Sequence, residues 1–369
     1  MARHLETVAL VLGATLVGFA LGDGGFGVVE LDARGHLVED LAVVALVVIL
    51  FRDGLEVDGE MLQREWHLPF RKLALAMPVT CGLVALATHA LTDLNWTESF
   101  LVGALLSPTD PVLSSAVVTN PRVPRVVRHS LNLESGMNDG LALPAVLAFT
   151  EAARVADTDF VWWRFVLQDV TLGMAFGVAV GLLAARLLPR SGPLALYAAV
   201  VAGVAYAVAT VEPRGNGLIA VFVCAIVLGL RRPDVVRALE ERGGDVVRVV
   251  KLAIFFVFGS LLTLGGLFGD GWAAVALVAF TLLVARPAAV FAALAGTRTN
   301  VATRAFMAWF GPKGVATMTF ALLVLSQTDV VRGERIFNLA ALAVVCSMVA
   351  HGATERAGVD WIARRAEPG

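Results

Sequence analysis

Residues 103–118 read GALLSPTDPVLSSAVV. The run is apolar at both ends, yet Pro108 and Pro111 bracket Thr109 and Asp110 in its middle. Proline lacks an amide hydrogen and its ring clashes with the carbonyl one turn back, so two prolines three residues apart do not fit an unbroken helix. At membrane depth, broken backbone is tolerated only where it is buried in protein or lines a cavity. A second interruption lies in WFGPKGVATMTF at 309–320, where Gly311, Pro312 and Gly314 surround Lys313.

Composition says that both runs lie in a membrane. Of 369 residues, 58% are hydrophobic and 16% are charged, against roughly 25% charged in soluble domains. A soluble core of this size would need a polar surface that these residues do not supply. The formal net charge of −2 gives no basic field for nucleic acid. Cys81, Cys224 and Cys346 fall in apolar runs without metal-ligand spacing and read as small core residues. The expected fold class is an all-α polytopic membrane protein.

A spanning helix needs about 20 apolar residues. Twelve candidates follow: 5–21, 37–51, 71–91, 97–119, 126–150, 163–188, 193–210, 215–230, 247–268, 271–296, 302–326 and 335–353. Twelve spans place both termini on one side. With the N-terminus inside, 21 Lys and Arg fall in inside loops and 6 outside, so the positive-inside rule puts both termini in the cytoplasm. Arg52, Lys72 and Lys251 are counted among those loop charges. The charged stretch 231–251 is expected to form a short helix on the cytoplasmic surface. Gly173, Gly177 and Gly181 form a small-residue face for close helix packing. Only about 16 residues follow the last span, so no soluble C-terminal domain is expected.

The breaks lie in spans four and eleven, an offset of seven. An odd offset reverses membrane orientation, so the sequence is expected to hold an inverted repeat whose two broken helices cross. Interrupted segments at matching positions of two halves are the best sequence pointer to a transporter site. Half-helix N-terminal ends favour a nearby anion and C-terminal ends a cation; Asp110 and Lys313 supply those compensating charges.

Ionisable residues within spans mark function. The fifth span, LNLESGMNDGLALPAVLAF at 131–149, carries Glu134, Asn138 and Asp139. Ser135 and Asp139 share a helical face, as do Glu134 and Asn138. Glu134 and Asp139 are five residues apart, about 140° around the helix, so the two acids have different partners. Arg286, buried in TLLVARPAAV, needs an anion, and Glu134 is its natural candidate. His129 and His351, near predicted cytoplasmic ends, read as solvated boundary residues.

SPTDPV, LESGMNDG, ARP and GPKG, in that order and on those spans, resemble the monovalent cation:proton antiporter-1 family of sodium/proton exchangers, and LFRDGLEVD at 50–58 resembles that family's second-span ending. The resemblance implies a core of six helices, about 71–150 and 271–353, with the remaining helices forming a dimerisation scaffold. It implies that Asp139 binds ion and proton, with Asn138 its partner. Asp110, Thr109 and Ser135 then complete a Na⁺ site, and Glu134 with Arg286 forms a structural ion pair. Lys313 stands where many members carry Arg.

The expected activity is antiport of a monovalent cation, Na⁺ or Li⁺, for H⁺ by competition at Asp139. Asn138, in place of a second acid, suggests an electroneutral ratio. K⁺/H⁺ antiport is the alternative, since the motifs do not separate the two ions. A channel is disfavoured by the lack of a repeated filter. An intramembrane enzyme is disfavoured because there is no zinc HExxH helix or GxSG nucleophile. No cofactor is expected; the expected partners are the ions, the bilayer of a bacterial inner membrane and a second copy of the chain.

Overall fold

The structure, a computed structural model, describes residues 2–57, 67–110, 115–154, 160–211, 214–327 and 332–365. It is built of helices: α1 (Ala2–Leu21), α2 (His36–Leu55), α3 (His67–Leu91), α4 (Trp96–Leu106), α5 (Ser115–Thr119), α6 (Arg125–Ala152), α7 (Trp162–Leu187), α8 (Leu194–Thr210), α9 (Gly217–Arg231), α10 (Pro233–Arg242), α11 (Gly244–Ser260), α12 (Leu264–Leu267), α13 (Trp272–Ala293), α14 (Val301–Trp309), α15 (Val315–Ser326) and α16 (Gly333–Arg365). Among the described residues α3, α7, α13 and α16 are each long and apolar enough to cross a membrane unaided. The halves α4 and α15 are apolar but short, because each ends at a break. Joining α4 with α5 and α14 with α15 gives the twelve expected spans, with α10 as the amphipathic surface helix between spans eight and nine.

The inverted repeat is written in the backbone as well as in the breaks. Span three carries a π-turn at Lys72–Ala76 and span ten another at Thr281–Ala285. Pro78 and Pro287 follow at equivalent places. A proline withholds one amide from the ladder, and a wider turn absorbs the missing bond. These two spans are seven apart, as are the two broken ones.

Helix α2 sits at the centre of the molecule, packing on α9, α11, α15 and α6; Ala42, Leu46, Ile49 and Leu50 are all buried. This position carries the end of α2, with Arg52 and Asp53, into the interior. The glycine face of α7 lies on α9 as expected: a Cβ at Gly177 would stand 2.6 Å from the Ala220 carbonyl oxygen. At the opposite end of the bundle Asn95 and Glu98 cap α4 reciprocally, at 2.9 and 2.8 Å. Arg335 at the start of α16 grips Asp93 and Asp270, and this hydrogen bonding holds the exposed Asp93 carboxyl below the usual carboxylate range.

Candidate functional site

The two breaks meet. The Asp110 amide donates to the Pro312 carbonyl at 2.8 Å, so the interrupted backbones of spans four and eleven bond to each other. Each half-helix end then receives a charge from the other span. The Asp110 carboxylate accepts from the Val315 amide at 2.8 Å, at the N-terminus of α15, where the helix dipole favours an anion. The Lys313 ammonium donates to the carbonyls of Pro108 and Ser107, at 3.0 and 3.4 Å, just beyond the C-terminus of α4, where a cation is favoured. Lys313 is wholly buried. Gly314 is required by this crossing: a Cβ there would lie 2.4 Å from Asp110 Oδ2.

Helix α6 brings its polar residues to the crossing. Asn138 donates to the carbonyl and the hydroxyl of Thr109, at 2.5 and 3.0 Å, which ties α6 to the unwound part of span four. One helical step on, Asp139 is buried, and its Oδ1 is buried without a hydrogen-bond partner. Asp139 and Asp110 line one small cavity of about 20 Å³ with Asp53, Arg52, Glu56 and Lys251. That volume is room for about one water-sized particle. The side chain of Ser135 lies outside the described residues. Of the expected site residues, Asp139 and Asp110 therefore share the cavity, while Thr109 and Asn138, next to them in sequence, bond to each other and do not line it.

Glu134 faces the other way, as its angular offset from Asp139 requires. It pairs with Arg286 at 3.2 Å and with Lys72 at 2.6 Å, joining α6, α13 and α3. The Arg286 guanidinium lies against Gly311, where a Cβ would come within 2.1 Å of it. The ion pair is thus packed directly on the second break.

Several expectations need correction. Lys72, Lys251 and Arg52, counted as loop charges, belong to the interior: Lys72 is 1% exposed, Lys251 is 9% exposed, and Arg52 lines the cavity. The helices continue past the apolar runs, so these charges sit inside helical turns rather than between them. Removing the three leaves the charge bias with the same sign. His351 is not a solvated boundary residue. Helix α16 runs on to Arg365, beyond the expected end at 353, and His351 is buried with its ring nitrogens 2.7 and 2.8 Å from the carbonyls of Ser347 and Trp309. His129 keeps its boundary place beside Arg125.

Asp53 is the site residue that sequence reasoning missed. It stands 3.8 Å from Arg52 and joins Asp139, Asp110 and Glu56 as a fourth carboxylate of the cavity. Its signal was available in the resemblance of LFRDGLEVD, but it lies at the end of an apolar run, where hydropathy reads a boundary.

Twelve spans in an inverted repeat, with two crossed broken helices that exchange charges, define the class: a polytopic membrane protein built around a midplane site. The chain belongs to the transmembrane sodium/hydrogen exchanger family, whose model matches residues 1–358. It is 26% identical over 357 residues to the K⁺/H⁺ antiporter NhaP of Alkalimonas amylolytica, covering 94% of this chain and 61% of that protein. It is 26% identical over 355 residues to the K⁺/H⁺ antiporter NhaP2 of Shewanella sp. (strain ANA-3), covering 92% and 60%. The chain thus spans about 60% of the length of these curated relatives. Among solved structures, the sodium proton antiporter MjNhaP1 of Methanocaldococcus jannaschii superposes with a TM-score of 0.84 at 17% identity, covering 96% of this chain and 92% of that one. The common fold is therefore much better preserved than the sequence.

Proposed function

We propose that the protein is a secondary active antiporter that exchanges a monovalent cation, Na⁺ or Li⁺ first, for H⁺. One observation carries the proposal: Asp139, whose buried Oδ1 has no protein partner, lines a cavity sized for one small particle together with three further acids, Asp53, Glu56 and Asp110. Carboxylate oxygens are hard ligands and suit a hard cation. A proton on Asp139 removes the charge that holds the ion, so cation and proton exclude each other at one group. Asp110 and Asp53 add field to the site, with Thr109 and Ser135 as further oxygen donors. Asn138 ties α6 to Thr109 in the unwound part of span four without adding charge. Asp53 has Arg52 as a counter-charge, so it leaves the exchange electroneutral. Lys313 and Asp110 keep the crossing intact when the site changes charge.

Alternating access moves the core helices, residues 71–150 and 271–353, against the remaining scaffold, which also forms the homodimer. Both termini and α10 face the cytoplasm of a cell whose inner membrane holds the protein. A second reading, K⁺ as the cation, draws support from the K⁺/H⁺ naming of the NhaP relatives.

Reconstituted protein with an imposed pH gradient and a pH-sensitive dye tests these readings. NaCl, LiCl and KCl are added in turn, with and without a voltage clamp. Collapse of the gradient by Na⁺ or Li⁺, indifferent to voltage, is the expected result. Collapse by K⁺ alone would select the second reading, and no response to any of the three would reject antiport of these ions. In the same assay Gly314→Ala is expected to lose at least about tenfold in rate, because the added methyl pushes Asp110 out of register and misplacement of about 1 Å at a working site has effects of this size or larger.

A further inference from the structure

Lys251, on α11, stands at the junction of two cavities. The smaller is the carboxylate cavity. The larger, about 340 Å³, lies between α1, α2, α10 and α11, and Arg52, Glu56 and Lys251 line both. Arg52 is held by Glu56 at 2.7 Å. Lys251 is 9% exposed, and among the described residues it makes no hydrogen bond and no ion pair. A buried ammonium without partners is costly unless anions face it.

The charged groups facing it can be named element by element. Helix α2 contributes Asp53, Glu56 and the opposing Arg52, and the crossing contributes Asp110. Helix α6 contributes Asp139, which lies in the field of Lys251. Helix α10 contributes Glu240 and α11 itself Arg248; among the residues whose side chains are described, α1 contributes Leu10 and Val11, and α15 contributes Val315. The ammonium thus stands between an open vestibule and the four carboxylates of the smaller cavity, with no bond to any of them among the described residues.

Resting on the antiport reading above, we propose that Lys251 is the resident counter-cation of the carboxylate site. It balances the cluster when neither proton nor transported ion is there, and it gives way when the ion arrives through the vestibule. It is a positioning residue rather than a ligand. Its charge opposes an entering cation and an entering proton alike, so it sets both the apparent cation affinity and the pH at which exchange begins. Because it holds no hydrogen bond, it moves aside without breaking one.

Removing a positive charge beside a carboxylate lets the acid keep its proton to higher pH and strengthens its grip on a metal cation. At an effective dielectric of about 20, a unit charge roughly 12 Å away already changes affinity on the order of tenfold and a nearer one changes it more, so about tenfold is the smallest effect expected. The test compares Na⁺ concentration dependence at several pH values in liposomes for wild type, Lys251→Met and Lys251→Arg. Lys251→Met is expected to lower the apparent KM for Na⁺ at least about tenfold at alkaline pH and to move the onset of exchange to higher pH. Lys251→Arg is expected to keep both near wild type. Lys251→Met with wild-type KM and onset would overturn the proposal, as would Lys251→Arg behaving like Lys251→Met. If Lys251→Met does not run as one monodisperse peak in detergent, Lys251→Gln supplies the neutral arm. Failure of both neutral variants to fold beside a folded Lys251→Arg would overturn the proposal in favour of a purely structural charge. A wild-type protein inactive with Na⁺, Li⁺ and K⁺ would reject the antiport reading itself, a different result from active wild type with an indifferent Lys251.

Discussion

Asp139→Asn is expected to abolish exchange to the level of empty liposomes while leaving the protein folded. Asparagine keeps the size and shape of the side chain, and no protein hydrogen bond to Oδ1 is lost. What goes is the negative charge that attracts the cation and the group that takes up the proton. Both halves of the cycle therefore fail together. Dye-reported gradient collapse and a thermal melt in detergent check the two halves of this prediction. Turnover at the wild-type rate would place the exchanged ion on another group, with Asp53, Glu56 and Asp110 the remaining acids of the cavity.

Glu134→Gln is expected to be the most destabilising single change in the interior. Glu134 pairs with both Lys72 and Arg286, so its loss leaves two buried cations facing each other. Removing one partner of a buried pair costs about 3–5 kcal/mol, and here two cations lose the same partner. Arg286→Gln is milder, since Lys72 still holds Glu134 at 2.6 Å. The melting order is expected to be wild type, then Arg286→Gln, then Glu134→Gln. An unchanged melt for Glu134→Gln would show that the pair carries little of the stability of the bundle. The arrangement also explains why the two acids of one helix differ: Glu134 ties three spans together and is saturated by partners, whereas Asp139 keeps an oxygen free.

Where the sequence spoke clearly, it spoke through residues that are expensive in a membrane. Paired prolines at 108 and 111 and the Gly311–Gly314 stretch located the breaks, and the offset of seven between them gave the inverted repeat. The five-residue separation of Glu134 and Asp139 told their faces apart, and Arg286 found Glu134. The signal faded where charge and span end coincide. Lys72 follows Arg71 and looks like a loop pair, yet the π-turn carries it inward to Glu134. Asp53 and Lys251 lie at the ends of apolar runs, and only the packing of α2 and α11 shows that those ends dip into the site. His351 looked exposed because the apolar pattern stops near it, whereas α16 continues past it and leaves it packed against Trp309.

In the proposed cycle, cation and proton compete for one buried carboxylate. Proton release on adding Na⁺ to purified, lightly buffered protein tests it most directly, followed with a pH indicator beside the Asp139→Asn protein. Close to one proton is expected to be released per ion bound in the wild type and none in the variant. Cation binding without proton release in the wild type would contradict it.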